Sequence, residues 1–263
     1  MDYIFRILPN MFSGLGVSAQ IFIFTIVLSL PLGMLLAMVR ISKVGLFRQA
    51  AGAYIYLMRG TPLMLQIMFI YYGLPLIFDL QISDFPAAIL AFVANYAAYF
   101  AEIFRGGIQS ISRGQYEGAK VLCFTYKQTM WHIILPQVVK RVIPPLGNET
   151  ITLLKDTSLV YILAMNDLMR VTRAFVQRDF DTTPFLVAGV FYLVCTAVLT
   201  KILTYGREKS FDHFVSCRIC RNDRTIAGRI IIFGCICDIF SEKIDSMLVV
   251  NFRFLNGNYR FYR

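Results

Sequence analysis

The sequence predicts an all-α, polytopic membrane protein of about five transmembrane helices, with its N-terminus outside and its C-terminus inside. Three observations lead there. First, 57% of the 263 residues are hydrophobic and only 16% are charged, with a mean hydropathy of +0.61. A soluble domain of this length has no use for so much apolar surface. Second, the chain holds uncharged runs of about 20 residues, the length at which a helix crosses a hydrocarbon core of roughly 30 Å. Lipid admits helices because each satisfies its backbone polar groups within its own segment. Third, the Lys and Arg residues behind the net charge of +10 collect between the runs on one side, as cytoplasmic loops require. A basic chain also suits nucleic acid, but this distribution sets membrane orientation, and no nucleic-acid partner is expected.

The spans are expected at about residues 17–39, 53–78, 85–104, 138–165 and 184–203. Residues 1–16 read as a short, nearly neutral external segment. The first apolar run is too long for a signal h-region and lacks a basic n-region with a cleavage site. Pro31 and Gly33 can kink the first span. Arg40, Lys43 and Arg48 follow it and mark the cytoplasmic side. The second span contains RGTPLMLQIMFIYYGLP, where Thr61 suits a helix cap and Pro62 a first helical position. Arg59 reaches back to the interface, and Tyr71 and Tyr72 suit an outer aromatic belt. The third span carries Glu102 and Arg105 three apart, on one helix face.

Residues 105–137 form the most basic loop, with Arg105, Arg113, Lys120 and Lys127, and Lys140 and Arg141 just beyond. The fourth span is weak by hydropathy, since it contains Pro144, Pro145, Asn148, Glu149, Lys155 and Asp156. Intramembrane ionisable groups are costly and face a cavity or a partner rather than lipid. Glu102, Asn148, Glu149, Lys155 and Asp156 are therefore candidates to line a translocation path. Glu149 and Asp156 lie seven apart and share a face, whereas Lys155 and Asp156 do not. Polar contacts between helices are the competing role for all five. Residues 166–183 read as an external loop of mixed charge.

From about residue 210 the composition changes. The tail mixes Cys, Arg and aromatic residues without a period, and reads as the product of a shifted reading frame rather than as an extension. Cys217, Cys220, Cys235 and Cys237 make one C-x-x-C and one C-x-C pair. Their spacing is not the usual zinc pattern, so no metal or cofactor is expected. No G-x-x-x-x-G-K-[ST] string occurs, so the chain has no phosphate-cradling loop of its own.

The string RGQYEGAKVLCFTYKQTMWHIILP at residues 113–136 resembles the cytoplasmic loop of permease subunits of bacterial importers driven by a separate ATPase. The family form is E-A-A-(x)3-G-(x)9-I-x-L-P. Glu117, Ala119, Ile133, Leu135 and Pro136 match it, Gly118 replaces an alanine, and Cys123 stands at the glycine position. The strings RGTPLMLQ, YFAEIFRGGIQSI and the KDTSL element resemble the polar-amino-acid branch, the histidine, glutamine and arginine permeases. The resemblance covers roughly residues 10–209.

It implies a transport subunit of the bacterial inner membrane, not an enzyme. The implied partners are two copies of an ATP-binding subunit, a second permease that is identical or related, an external solute-binding protein, a small polar amino acid and membrane lipid. It also implies a short surface helix at Glu117 that docks on the ATPase, with Gly118 and Ala119 allowing close approach and Pro136 stopping the loop. A glycine at position 123 would permit a left-handed turn, which cysteine tolerates less well. An ion-coupled secondary transporter and a membrane redox or metal protein using the tail cysteines are the alternatives.

Overall fold

The computed structural model describes residues 2–79 and 81–215. The tail cysteines, and the metal and redox alternatives attached to them, lie outside the described residues. The chain divides after Ser210, and the architecture below is that of the first unit. Its order is α1 (Asp2–Ile41), α2 (Gly45–Gly60), α3 (Leu63–Met68), a π turn (Phe69–Gly73), α4 (Leu74–Phe78), α5 (Asp84–Gln109), α6 (Arg113–Val121), α7 (Tyr126–Thr129), a second π turn (Met130–Ile134), α8 (Leu135–Asp156), a 3₁₀ segment (Thr157–Leu163), α9 (Leu168–Asp179) and α10 (Thr183–Val215). Among the described residues, three helices are long and apolar enough to cross a membrane, or four if the bent pair Gly45–Gly60 and Leu63–Phe78 is one span. α8 is long enough, at 22 residues, but too polar to count on composition.

The first helix is much longer than the expected 17–39. At 40 residues it is ~60 Å long, so it extends past any bilayer. The expected external segment is helical because tertiary contacts support it. Ile7 and Met11 are fully buried against Leu168 and Phe175 of α9 and Ala188 of α10. The buried face of α1 runs Ile7, Met11, Gly14, Ser18, Ile21, Thr25, Ser29, Gly33 and Ala37. That is one residue every three or four, a single stripe. Small residues mark it, because van der Waals contact between close backbones, not apolarity, joins helices in lipid. At Gly33 a Cβ would come within 2.7 Å of the Phe100 Cβ and 3.1 Å of the Ala97 carbonyl.

α5 is the hub. Phe92, Tyr96 and Phe100 on it form one core with Ile21 of α1, Ile67 of α3, Leu153 of α8, and Val160 and Leu163 of the 3₁₀ segment. A second core, Ile111, Ala119, Ile133, Ile134, Val138 and Val142, joins α6 to the start of α8.

Four local expectations are corrected. The second span is not one helix, because α2 and the Leu63–Phe78 segment meet at 106°. Thr61 does not cap the next helix; its hydroxyl donates back to the Leu57 carbonyl at 2.8 Å, and extended Pro62 precedes α3. Pro136 does not end the loop. The helix runs on from Tyr126, with a π turn that ends two residues before Pro136 and widens the spiral where proline lacks an N–H and crowds the carbonyl four residues back. Pro75 follows the other π turn in the same way. Finally, the 166–183 segment is mostly α9, capped by Asp167, whose carboxylate accepts from the Met169 and Arg170 N–H groups at 3.0 and 3.1 Å.

Two outcomes follow from this packing. Gly33→Leu forces α1 from α5 and lowers stability by about 1–3 kcal/mol or more, read as a lower melting temperature of the purified chain in detergent. Burial pushes the Asp167 carboxyl up to about 6 from 3.8. The folded chain therefore binds its proton more tightly than the unfolded chain. Its stabilising contribution is complete below about 3.8 and is lost as pH rises through about 6. Melting temperature falls over that window in the natural chain, and Asp167→Asn flattens the fall.

Candidate functional site

The break between α2 and α3 frees backbone carbonyls in a region that lipid cannot satisfy. Two amides close it. Gln66 Nε2 donates to the Met58 carbonyl at 2.9 Å and to Thr61 Oγ1 at 2.7 Å. Asn95 Nδ2 donates to the same Met58 carbonyl at 3.0 Å and to Gln66 Oε1 at 3.0 Å. Asn95 is buried and is the twelfth of the 26 residues of α5, so the break sits half-way along that helix. Tyr54 adds a bond from its hydroxyl to the Ala94 carbonyl at 2.6 Å. Sequence reading did not single out Gln66 or Asn95. The signal was present: two amides and a Thr-Pro step inside apolar runs.

The same level of α5 carries the acidic site. The Tyr96 hydroxyl, on a buried ring, donates to Asp156 Oδ2 at 2.7 Å. Glu149 stands two turns back on α8, half-buried, within electrostatic range of Asp156 and Arg59. The five expected path residues therefore separate. Glu149 and Asp156 come together on one face. Asn148 and Lys155 lie off that face and are exposed. Glu102 is engaged by Arg105, which donates to it through both Nε, at 2.9 Å, and Nη2. Arg59 was read as reaching the interface. Its guanidinium lies over Tyr99, 5.1 Å from the ring centroid, close enough to act electrostatically on Glu149 and Glu102.

At the basic end, α6 presents a surface. Ala119 is 2% exposed and faces α8, while Glu117, Gly118 and Lys120 face outward. Ile133 is buried in the supporting core with Ile134. Leu135 and Pro136 are half-buried in the first turn of α8. Arg141 ties α8 to the end of α5 by donating to the Ser110 carbonyl and, at 3.1 Å, to its hydroxyl. α6 ends in a Schellman turn. The Phe124 N–H donates to the Ala119 carbonyl and the Cys123 N–H to the Lys120 carbonyl, both at 3.0 Å. Cys123 is the left-handed residue of that turn, with φ 58°.

Helices packed side by side, a polar site half-way along α5 and a short helix displayed at the basic end suit a transport subunit of the membrane. The chain belongs to the family described as binding-protein-dependent transport system inner membrane component, which matches residues 29–205. It is 38% identical over 199 residues to the arginine transport system permease protein ArtQ of Bacillus subtilis, covering 74% of this chain and 90% of that one. It is 35% identical over 198 residues to the glutamine transport system permease protein GlnP of Escherichia coli K12, covering 74% and 90%. Among solved structures, an amino acid ABC transporter crystallised with histidines matches with a TM-score of 0.74 and 31% identity, over 79% of this chain and 97% of that one. The MetNI methionine ABC transporter matches at 0.61 and 16% identity, over 80% and 98%, and shares the fold alone. The chain is thus a multi-pass inner-membrane permease subunit, a transport component that works with an ATP-binding subunit and a solute-binding protein.

The strained turn makes a prediction. A β-carbon in the left-handed region costs about 1–2 kcal/mol. Cys123→Gly therefore stabilises the loop, measured as a higher melting temperature and slower amide exchange at Leu122–Phe124.

Proposed function

We propose that this permease carries polar amino acids inward by alternating access. The observation that supports this best is the carboxylate pair at mid-depth, with Asp156 fixed by Tyr96 and Glu149 beside it. A zwitterion leaving water needs its charges replaced. Two carboxylates replace an ammonium and favour a solute with a further cationic or amide nitrogen. The relatives named for arginine and glutamine transport fit that chemistry.

The N-terminus is outside and the C-terminus inside, with five spans and the ends carrying Arg40, Lys43, Arg113 and Lys120 in the cytoplasm. α8 is the fourth span, tolerated despite its polarity because its ionisable face meets α5 rather than lipid. Two ATP-binding subunits and a second permease, identical or related, complete the assembly. α6 is the element that docks on the ATPase. Its backbone is accessible at Gly118, its charge is displayed at Glu117, and its buried Ala119 ties it to α8. Closure of the ATPase pair then moves α8 against α5 and shifts the acidic site between the two faces.

Uptake of labelled amino acids by cells lacking the gene tests this. The full chain restores ATP-dependent uptake of at least one polar amino acid. Glu117→Lys, which reverses a charge at the docking surface, reduces that uptake more than about tenfold while the protein still inserts. Restoration by stable Glu117→Lys at the natural rate removes the docking role, and no restoration across the panel by inserted natural chain removes the amino-acid role.

A further inference from the structure

We propose that Arg59 binds the α-carboxylate of the transported amino acid and so determines specificity in the path. This rests on the amino-acid reading above. Arg59 follows Met58, whose carbonyl is held by both Gln66 and Asn95. The backbone that carries the arginine is thus anchored at the middle of α5, and its guanidinium lies at the level of Tyr99, one turn from Tyr96. A cation at that depth costs several kcal/mol unless something compensates it. Stacking over Tyr99 supplies part of that. Among the described residues, Arg59 makes no ion pair: Glu102 is engaged by Arg105, and Glu149 acts on Arg59 from beyond contact distance.

Arg59 is exposed, and among the described residues no hydrogen bond occupies its planar fork of donors. That fork matches a carboxylate in a bidentate pair. Arg59 stacks on Tyr99, whose ring centroid lies 6.1 Å from that of Tyr96, and the Tyr96 hydroxyl holds Asp156, so the fork and the acidic pair flank one aromatic cluster. An amino acid between them would set its carboxylate on Arg59 and its nitrogens on the acidic pair, so that each charge meets an opposite one. Neither other candidate cation serves, since Lys155 lies off that face and Arg105 is paired. The competing role for Arg59 is a pin, in which stacking on Tyr99 only holds α2 to α5.

The decisive experiment uses the permease assembled with its ATPase in nanodiscs, without the solute-binding protein, so that any selectivity belongs to the permease. Equilibrium binding is measured for L-arginine against agmatine and for L-glutamine against γ-aminobutyramide, each second ligand lacking the carboxylate. The natural complex binds its amino acid about 30-fold or more tightly than the decarboxylated analogue. Arg59→Gln and Arg59→Ala lose that factor for the amino acid, leave the analogue's affinity unchanged, and bring the ratio near one; Arg59→Lys keeps part of it. Melting temperature is recorded for every variant.

A ratio that stays at the natural value in folded Arg59→Gln overturns the assignment. So does an equal loss for both ligands, which is the signature of the pin. Glu149→Gln and Asp156→Asn separate this from the wider reading. If they leave amino-acid binding unchanged while Arg59→Gln collapses the ratio, the acidic-pair reading fails and Arg59 stands. If the natural complex binds neither member of either pair, both fail.

Discussion

An open helix end in the middle of a membrane must find hydrogen-bond partners within the protein, and the arrangement around Thr61 and Pro62 follows from that constraint. Each unsatisfied carbonyl there would cost several kcal/mol. Gln66 and Asn95 close the break from two directions, one from the helix that follows it and one from α5. The break therefore cannot form without α5 in place. Conversely, α5 carries a buried asparagine that has no reason to be there without the break. This mutual requirement sets where Arg59, Tyr99 and Tyr96 stand.

Polar groups and small residues share the work of assembly. Lipid is as apolar as leucine, so apolar residues do not choose a partner face. On α1 the choice is made by Gly14, Ser18, Thr25, Ser29 and Gly33. Their lack of bulk lets α5 and α9 approach, and Gly14 leaves a space where a Cβ would lie 2.9 Å from the Asp167 carbonyl carbon. On α8 it is made by the Asp156–Tyr96 bond and by a second core at the basic end. α6 therefore packs on the start of α8 through Ala119, Ile133 and Ile134, and the same helix carries the acidic site.

Cys123 shows how a local rule reads when the structure is in hand. The loop needs a left-handed residue after α6, and the chain supplies one with a side chain. The Schellman bonds to Ala119 and Lys120 form nevertheless. The core around Ala119 holds the turn against the strain.

The sequence by itself determined the class of the chain. Run length and basic clustering identify a helical membrane protein, and the loop at Glu117 together with RGTPLMLQ carries the resemblance to permeases. It also placed Glu149 and Asp156 on one face, since helical periodicity is local. Tertiary structure alone decided which elements break, how long α1 runs, and which cation lies over Tyr99. The reason is the range of the interactions. Asn95 meets Met58 across 37 residues and Tyr96 meets Asp156 across 60, and no local pattern encodes such pairs. Hydropathy reports that a segment prefers lipid to water, but it weighs the lipid-facing and protein-facing sides of a helix alike. Arg59 therefore reads as an interfacial residue in the sequence. Only the packed arrangement of α2 and α5 sets it over Tyr99.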